Sequence, residues 1–160
     1  MKRTRTTWLE KFNREQPPKI ETAHGKFAEK FGEGKMVIAS PKLVDAIIRR
    51  IPKGKLATIN MIRAELAKEF GVDYACPITT GIFAWIGAHA AEEMKKAGAK
   101  KITPWWRVVK EDGGLNPKYP GGEELHAKRL REEGFSIVQK SLRSKKKVVK
   151  NAAEYMPAHF

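Results

Sequence analysis

The chain has 160 residues, 41% of them hydrophobic, which is enough for one domain with a single core and too little for a multi-domain enzyme. Its 32 lysines and arginines against 18 acidic residues give a formal net charge of +14, which argues against basic partners and predicts a polyanion. The longest apolar stretch, around residues 82–91, is too short to span a bilayer, and no apolar leader opens the chain. We therefore expect an intracellular protein without a membrane partner.

Cysteine and histidine are too few to predict a metal centre. Cys76 is the single cysteine, so no internal disulfide is expected, and the 4 histidines are not spaced as zinc ligands are. We expect no metal and no cofactor.

The first 35 residues predict an N-terminal extension that carries short helices. They combine charges and a Pro-Pro pair with isolated aromatic residues, and they lack a clean periodicity. We expect the aromatic side chains to pack on the main domain: Trp8, Phe12, Phe27 and Phe31. The main domain is placed at 36–150, and 151–160 form a C-terminal tail.

Three helices are predicted in the first half of that domain. Ser40 can cap the first, which has Pro41 in its first turn and apolar residues at helical spacing as far as Ile51. Thr58 can cap the second, which ends before Gly71. The third covers about 78–96 and is apolar on most sides, which predicts deep burial.

The second half is poorer in helix. Residues 102–119 have turn signals, a charged helix follows over 123–133, and two β-type runs at 136–140 and 147–150 predict a hairpin or wing. The fold class is therefore α/β, mainly α. We expect a helix-turn-helix, winged-helix-like DNA-binding domain with a small β-hairpin.

Five short motifs stand in a fixed order between residues 40 and 140. They are Ile51-Pro52-Lys53-Gly54-Lys55-Leu56-Ala57-Thr58, Thr103-Pro104-Trp105-Trp106-Arg107-Val108-Val109, Asp112-Gly113, Tyr119-Pro120-Gly121-Gly122, and Leu130 with Glu133-Gly134. Their order and spacing resemble the O6-alkylguanine-DNA alkyltransferase family. The resemblance implies a protein that enters the minor groove and flips an alkylated guanine into a pocket.

The alkyl group would then pass to the cysteine of a Pro-Cys-His-Arg motif. Here that motif reads Pro104-Trp105-Trp106-Arg107, and tryptophan offers no nucleophile. The chain thus resembles the alkyltransferase-like proteins, which bind alkylated DNA without repairing it. We expect a DNA-damage sensor that is not an enzyme.

The resemblance also implies the residues of a lesion pocket. Tyr119 matches the lid of the base pocket, and Glu133 matches the glutamate that orients the family's histidine. At least one indole of the Trp-Trp pair is expected to line a cleft, Trp105 to face the alkyl group, and Trp106 Nε1 to donate to Glu133. The predicted lesion pocket consists of Pro104, Trp105, Trp106, Arg107, Tyr119 and Glu133.

DNA contacts are expected from small and basic residues outside that pocket. Ile59 stands where the family often has a tyrosine, and the arginine that fills the space of the flipped base is missing between Arg63 and Arg107. Phe83 and Trp85 are candidates for a wedge in its place. The predicted DNA-binding residues are Thr58, Thr79, Thr80, Gly81, Lys101, Lys118 and Lys128.

The expected partner is double-stranded DNA, with or without O6-alkylguanine, bound by a monomer in the cytoplasm, close to the nucleoid. A repair protein is a further expected partner. Two alternatives stay open: a winged-helix regulator without lesion recognition, and an alkyltransferase that uses Cys76 as a displaced acceptor.

Overall fold

The computed structural model describes residues 5–160, so the first four residues of the expected extension lie outside it. The α-helices are α1 (Trp8–Asn13), α2 (Gly25–Phe31), α3 (Pro41–Ile48), α4 (Ile59–Phe70), α5 (Pro77–Lys96) and α6 (Gly122–Glu132). The strands are β1 (Lys19–Thr22), β2 (Lys35–Ile38), β3 (Ala57–Thr58), β4 (Tyr74–Ala75), β5 (Val108–Val109), β6 (Ile137–Gln139) and β7 (Lys147–Val149). Two short 3₁₀ turns cover Trp105–Arg107 and Ala152–Tyr155.

The predicted helix caps of α3 and α4 are confirmed. Ser40 Oγ accepts from the Leu43 amide at 3.2 Å, and Thr58 Oγ1 accepts from the Met61 amide at 3.2 Å. Gly71 ends α4 in the left-handed conformation with φ 62°, which a side chain would strain. The first of these helices ends at Ile48 and not at Ile51, because the following amides turn back to carbonyls three residues away.

The mainly helical α/β fold with a helix-turn-helix is confirmed. Helices α3, α4 and α5 pack against one another, and α5 is buried over much of its length, as its apolar composition predicts. Their shared core contains Val44, Ile47, Ile62, Leu66, Phe83, Ala84 and Ala88. Within the part of the chain that the structure describes, no helix combines the length and the apolar composition that crossing a membrane requires.

Three small sheets join these helices to the rest. In the first, β2 lies between β1, antiparallel to it, and β4, parallel to it. In the second, β3 runs parallel to β5, with Ala57 opposite Val108, so the start of α4 lies next to the chain that follows the Trp105–Arg107 turn. In the third, β6 and β7 form the predicted antiparallel hairpin, with Ile137 opposite Val149.

The N-terminal residues pack on α5. Phe12 is 8% exposed, and the Trp8 ring stacks on the His89 ring with centroids 4.3 Å apart. The Glu93 carboxylate accepts from the amides of Trp8 and Leu9, both at 3.0 Å, and so satisfies the free start of α1. The expected packing of aromatic residues is thus confirmed for Trp8 and Phe12.

A second core lies under the hairpin and the last 3₁₀ turn. It contains Leu56, Val109, Leu115, Ala127, Leu130, Phe135, Val149 and Ala152. Trp106 packs against both cores, so the Pro104–Arg107 segment lies at their boundary.

Candidate nucleic-acid interface

Trp105 lies in the protein core. Its side chain is 1% exposed, its Nε1 donates to Glu92 Oε1 at 3.1 Å, and its ring meets the edge of the Tyr119 ring with centroids 5.7 Å apart. The expectation that Trp105 faces an alkyl group is therefore wrong. The indole instead packs against the Tyr119 ring inside the protein.

The predicted hydrogen bond between Trp106 and Glu133 is also wrong. Glu133 accepts from Arg107 Nε at 3.0 and 3.1 Å and from Arg107 Nη2, while Arg107 Nη1 donates to the Ile51 carbonyl at 2.6 Å. The planar guanidinium matches a carboxylate better than a single indole N–H does, so the neighbouring arginine takes this acceptor. Trp106 Nε1 is buried without a hydrogen-bond partner.

His126 is a buried residue of this site that the sequence did not single out. It is 0% exposed, its Nε2 lies 2.8 Å from the Trp106 carbonyl, and its Nδ1 lies 3.4 Å from the Asn116 amide. A neutral ring that donates from Nε2 and accepts at Nδ1 satisfies both contacts. His126 therefore ties the Trp105–Arg107 turn to the loop that carries Asn116.

Because His126 is buried, its titration should make folding depend on pH. Desolvation lowers its pKa to about 4, although the hydrogen bond to the Trp106 carbonyl opposes that change. The unfolded chain then takes up the proton first, so the stability that neutral His126 confers is complete above about pH 6.5 and is lost as the pH falls toward 4. We expect the free energy of unfolding to fall by about 2 kcal/mol between pH 8 and pH 5.

Urea unfolding at a series of pH values measures the slope of the free energy of unfolding against pH. His126→Gln should flatten it between pH 7 and pH 5, whereas the same change at the exposed His24 should leave it as it is. A slope that survives in His126→Gln would assign the pH dependence to other groups.

A small cavity opens beside Tyr119. It has a volume of about 270 Å³, and we call it the Tyr119 cavity. Its lining residues are Ile59, Asn60, Val108, Val109, Lys110, Glu111, Asn116 and Tyr119. Ligand pockets usually measure about 300–1,000 Å³, so a space of this size suits a group no larger than about one base.

The Tyr119 cavity is lined by both apolar and polar residues. Val108 and Val109 are 1% and 2% exposed and form β5, which pairs with β3 directly before α4. Tyr119 is 4% exposed, and desolvation raises the pKa of its phenol, which keeps the ring neutral. Asn60 and Asn116 also line the cavity. Their Oδ1 atoms already accept from Arg63 Nη1 and from the Lys118 backbone amide, both at 3.0 Å, so their NH₂ groups remain as donors.

The first turn of α5 differs from its predicted role. The Thr80 hydroxyl donates to the Cys76 carbonyl at 2.7 Å inside the protein, and Thr79 Oγ1 is buried without a partner. Thr58 is 1% exposed and uses its hydroxyl as the cap of α4. These hydroxyls are inside the protein, so any phosphate contact here would come from backbone amides, with Gly81 leaving open space beside the helix.

The apolar residues that α5 exposes are Ile78 and Ile82, at 51% and 42%. Of the wedge candidates from the sequence, Phe83 is 6% exposed and belongs to the core, and Trp85 packs on Trp8 with centroids 5.3 Å apart. Sequence reasoning missed the two isoleucines because α5 is apolar on most sides. Their i, i+4 spacing shows only that they share a face, and the packing decides which face is exposed.

A pocket of about 350 Å³ adjoins these isoleucines. We name its lining the α5 surface, formed by Ile78, Gly81, Ile82, Trp85, Asn116 and Lys118. Asn116 lines both this pocket and the Tyr119 cavity, so the two are neighbours. Lys118 is exposed and its carbonyl oxygen lies 2.8 Å from His89 Nε2, which holds the loop on α5.

A larger, basic cleft lies on the other side of the Trp105–Arg107 turn. We call it the Trp106 cleft, and its volume is about 760 Å³. Its basic residues are Arg49, Arg50, Lys95, Lys100, Lys101, Arg107 and Arg129, and its other residues are Ile51, Pro52, Ile102, Pro104 and Trp106. The expectation that one indole of the pair lines a cleft is confirmed for Trp106.

The structure thus separates residues that the sequence assigned to one pocket. Pro104, Trp106 and Arg107 line the Trp106 cleft, and Tyr119 lines the Tyr119 cavity. Glu133 lies behind the turn as the ion-pair partner of Arg107. Among the predicted DNA-binding lysines, Lys118 lies on the α5 surface, Lys101 lies in the Trp106 cleft, and Lys128 is exposed on α6.

Cys76 lies at the junction of β4 and α5. It is 4% exposed, its amide donates to the Val37 carbonyl at 2.9 Å, and it belongs to the lining of neither the Tyr119 cavity nor the Trp106 cleft. Over residues 5–160, no group of three or more histidine, cysteine, aspartate or glutamate side chains is arranged to hold a metal ion.

The chain matches no protein-family model and none of the curated proteins with which it was compared. Among solved structures it is similar to S. pombe Atl1 in complex with damaged DNA containing O6-carboxymethylguanine, at 27% identity over 73% of this chain and 93% of that chain, with a TM-score of 0.48. It is also similar to S. pombe ATL in complex with DNA, at 29% identity over 72% and 91% of the two chains, with a TM-score of 0.43. Both neighbours are alkyltransferase-like proteins.

Proposed function

We propose that the protein binds double-stranded DNA through the α5 surface and accepts an alkylated guanine in the Tyr119 cavity, without moving the alkyl group. The observation that carries the proposal is the cavity beside Tyr119, because the motif resemblance implies that Tyr119 lids a base pocket. The cavity also adjoins the α5 surface, which includes the start of α5. The protein as a whole is strongly basic, which favours binding of DNA.

The chemistry of the Tyr119 cavity suits a flipped base. Val108, Val109 and Ile59 offer apolar contact to the flat faces and to an added alkyl group, while Asn60 and Asn116 can hydrogen-bond the edge of the base. Extrusion of a base costs a few kcal/mol, and alkylation at O6 weakens the pairing that has to be broken. A damaged guanine therefore enters more readily than a normal one.

The α5 surface suits the minor groove of a duplex. Many minor-groove proteins insert apolar side chains between base pairs, and Ile78 and Ile82 are exposed on the face of α5 next to the cavity. Lys118 lines the same pocket as these isoleucines, and Lys110 lines the neighbouring Tyr119 cavity, so each offers positive charge to the phosphates. An isoleucine at this place offers an alternative to the missing arginine.

The absence of alkyl transfer rests on the nucleophile. None of the side chains lining the Tyr119 cavity is a thiol, and Trp105, which stands at the position of the family's cysteine, is buried behind Tyr119. Cys76 is buried at the start of α5 and faces neither cavity. A mass increase on Cys76 after incubation with O6-methylguanine DNA would restore the enzyme alternative.

A binding titration with matched duplexes tests the proposal. We expect tighter binding to the duplex with one O6-alkylguanine by about 5- to 150-fold, the equivalent of the roughly 1–3 kcal/mol that one base contact contributes. Ile59→Trp, which fills the Tyr119 cavity, should abolish this preference and leave binding to the undamaged duplex nearly unchanged.

Ile20→Trp is the matched control. Ile20 is 55% exposed on β1, so the same substitution there should keep the preference. Equal affinity of the natural protein for both duplexes, together with strong preference for one base sequence, would favour a winged-helix regulator and contradict lesion recognition.

The proposal includes a monomer that acts near the nucleoid in the cytoplasm and passes the lesion to a repair protein.

A further inference from the structure

We infer that the Trp106 cleft is a second binding site, which takes an acidic, partly apolar peptide segment of a partner protein. The cleft is about 760 Å³ in volume and is lined by seven basic side chains and by no acidic one. It shares no lining residue with the Tyr119 cavity and is far more basic, so we expect it to bind a different ligand. The inference does not depend on recognition of an alkylated base.

The charges of the cleft are compensated only in part. Arg49, Arg50, Arg107 and Arg129 each form an ion pair with a carboxylate: Asp45, Glu69, Glu133 and Glu92 respectively. Lys95, Lys100 and Lys101 are exposed and form no ion pair with any residue of 5–160. Three positive charges therefore remain along one side of the cleft.

Stabilisation of a helix end does not account for all three lysines. A cation in the last turn interacts favourably with the helix dipole, and Lys95 is in the last turn of α5. This effect fades within that turn, whereas Lys100 and Lys101 follow it in the connection to the Trp105–Arg107 turn. Their charge is thus available to an anionic ligand.

The apolar part of the cleft favours a peptide over a nucleic acid. Ile102, Pro52 and Trp106 line the cleft together with the lysines and the arginines. The Arg129 guanidinium lies 5.2 Å from the Trp106 ring centroid and is held there by Glu92. One face of the indole is thus already covered, which leaves less room for stacked bases than a single-stranded nucleic-acid groove provides.

A peptide with acidic and branched apolar residues uses both parts. Its carboxylates can pair with Lys95, Lys100 and Lys101, and its apolar side chains can pack on Ile102 and Trp106. Aromatic residues and arginine are the side chains that dominate protein interfaces, and complementary charge speeds association and fixes orientation.

The position of the cleft permits a peptide and DNA to bind together. Ile82 is near the start of α5 and Lys95 is near its end. With a rise of about 1.5 Å per residue, the two positions are about 20 Å apart along the helix. The α5 surface and the Trp106 cleft also share no lining residue, so we expect a peptide to stay bound in the cleft when DNA occupies the α5 surface.

Fluorescence anisotropy with a labelled 12-residue peptide of repeated Glu-Asp-Leu tests the inference at near-physiological salt. We expect the peptide to bind the full chain, and to bind it within about threefold as well when the protein is saturated with duplex DNA. A 12-residue peptide of glutamate alone should bind more weakly, because it lacks the apolar contact. Absence of binding, or displacement of the Glu-Asp-Leu peptide by duplex DNA, would overturn the inference.

Charge reversal locates the site. The triple variant Lys95→Glu/Lys100→Glu/Lys101→Glu should bind the peptide about tenfold more weakly, because three attractive charges are replaced by three repulsive ones. The matched control Lys145→Glu/Lys146→Glu/Lys150→Glu makes the same change in net charge at exposed positions near the β6–β7 hairpin, and it should change peptide binding by less than about threefold.

Equal losses in the two triple variants would show that the peptide senses only the overall charge, and would overturn the site. A 12-nucleotide oligo-dT tests the other anionic ligand. Displacement of the peptide by oligo-dT, with loss of oligo-dT binding in the Lys95/Lys100/Lys101 variant alone, would make the cleft a nucleic-acid site instead.

Discussion

Trp105→Ala is expected to lower the free energy of unfolding by about 3–5 kcal/mol, the usual cost of deleting a large buried aromatic side chain. Trp105 is 1% exposed, and its ring packs against the rings of Trp106, Tyr119 and His126. The truncation also removes the donor to Glu92. Urea unfolding followed by circular dichroism measures the change.

Trp105→Phe separates packing from hydrogen bonding. It keeps an aromatic ring, and Glu92 keeps Arg129 as its partner at 2.8 Å, so we expect a loss of only about 1–2 kcal/mol from the smaller ring and the missing N–H. A Trp105→Ala variant as stable as the natural protein would show that the indole is not a core residue. If Trp105→Ala loses the expected stability, weaker DNA binding by this variant is explained by the smaller folded fraction and does not report a contact with the base.

Glu133→Ala is expected to lower the free energy of unfolding by about 3–5 kcal/mol, because it leaves the largely buried guanidinium of Arg107 without its ion-pair partner. The side chains of Arg107 and Glu133 are 14% and 7% exposed. The Arg107 guanidinium also donates to the Ile51 carbonyl. The ion pair therefore holds the Trp105–Arg107 turn against the segment that follows α3.

A double-mutant cycle checks that interpretation. Arg107→Met/Glu133→Leu replaces both charges by apolar groups and should be more stable than either Arg107→Met or Glu133→Leu alone, since no unpaired charge remains. The pair Arg50 and Glu69 is the control: its side chains are 43% and 35% exposed, so the corresponding variants should change stability by less than about 1 kcal/mol. Strictly additive costs at Arg107 and Glu133 would contradict the coupling.

The helices could be predicted from the sequence because their signals are local. Ser40 and Thr58 have short side chains that reach the amides three residues ahead, and Gly71 takes the positive φ that ends a helix. Strands β1 and β2 could not be predicted in the same way. β1 reads Lys-Ile-Glu-Thr and β2 reads Lys-Met-Val-Ile, so neither shows a strict alternation of apolar and polar residues.

The motif order identified the segment of the site but not the direction of its side chains. Trp105–Arg107 forms a 3₁₀ turn, where successive side chains point about 120° apart. Trp105 therefore enters the core while Trp106 and Arg107 face the basic cleft. Sequence spacing alone left Glu133 within reach of both Trp106 and Arg107, and the bidentate geometry of the guanidinium decides between them.

The position of β1 has a consequence for the behaviour of the protein at high concentration. β1 is an outer strand of its sheet, because among the described strands only β2 pairs with it. An unpaired strand edge can recruit a strand of another molecule and start aggregation. Here Pro17 and Pro18 come directly before the strand and cannot donate to such a neighbour, and Lys19 and Glu21 place charges along it. These four residues protect the open edge of the sheet against self-association into extended β-structure.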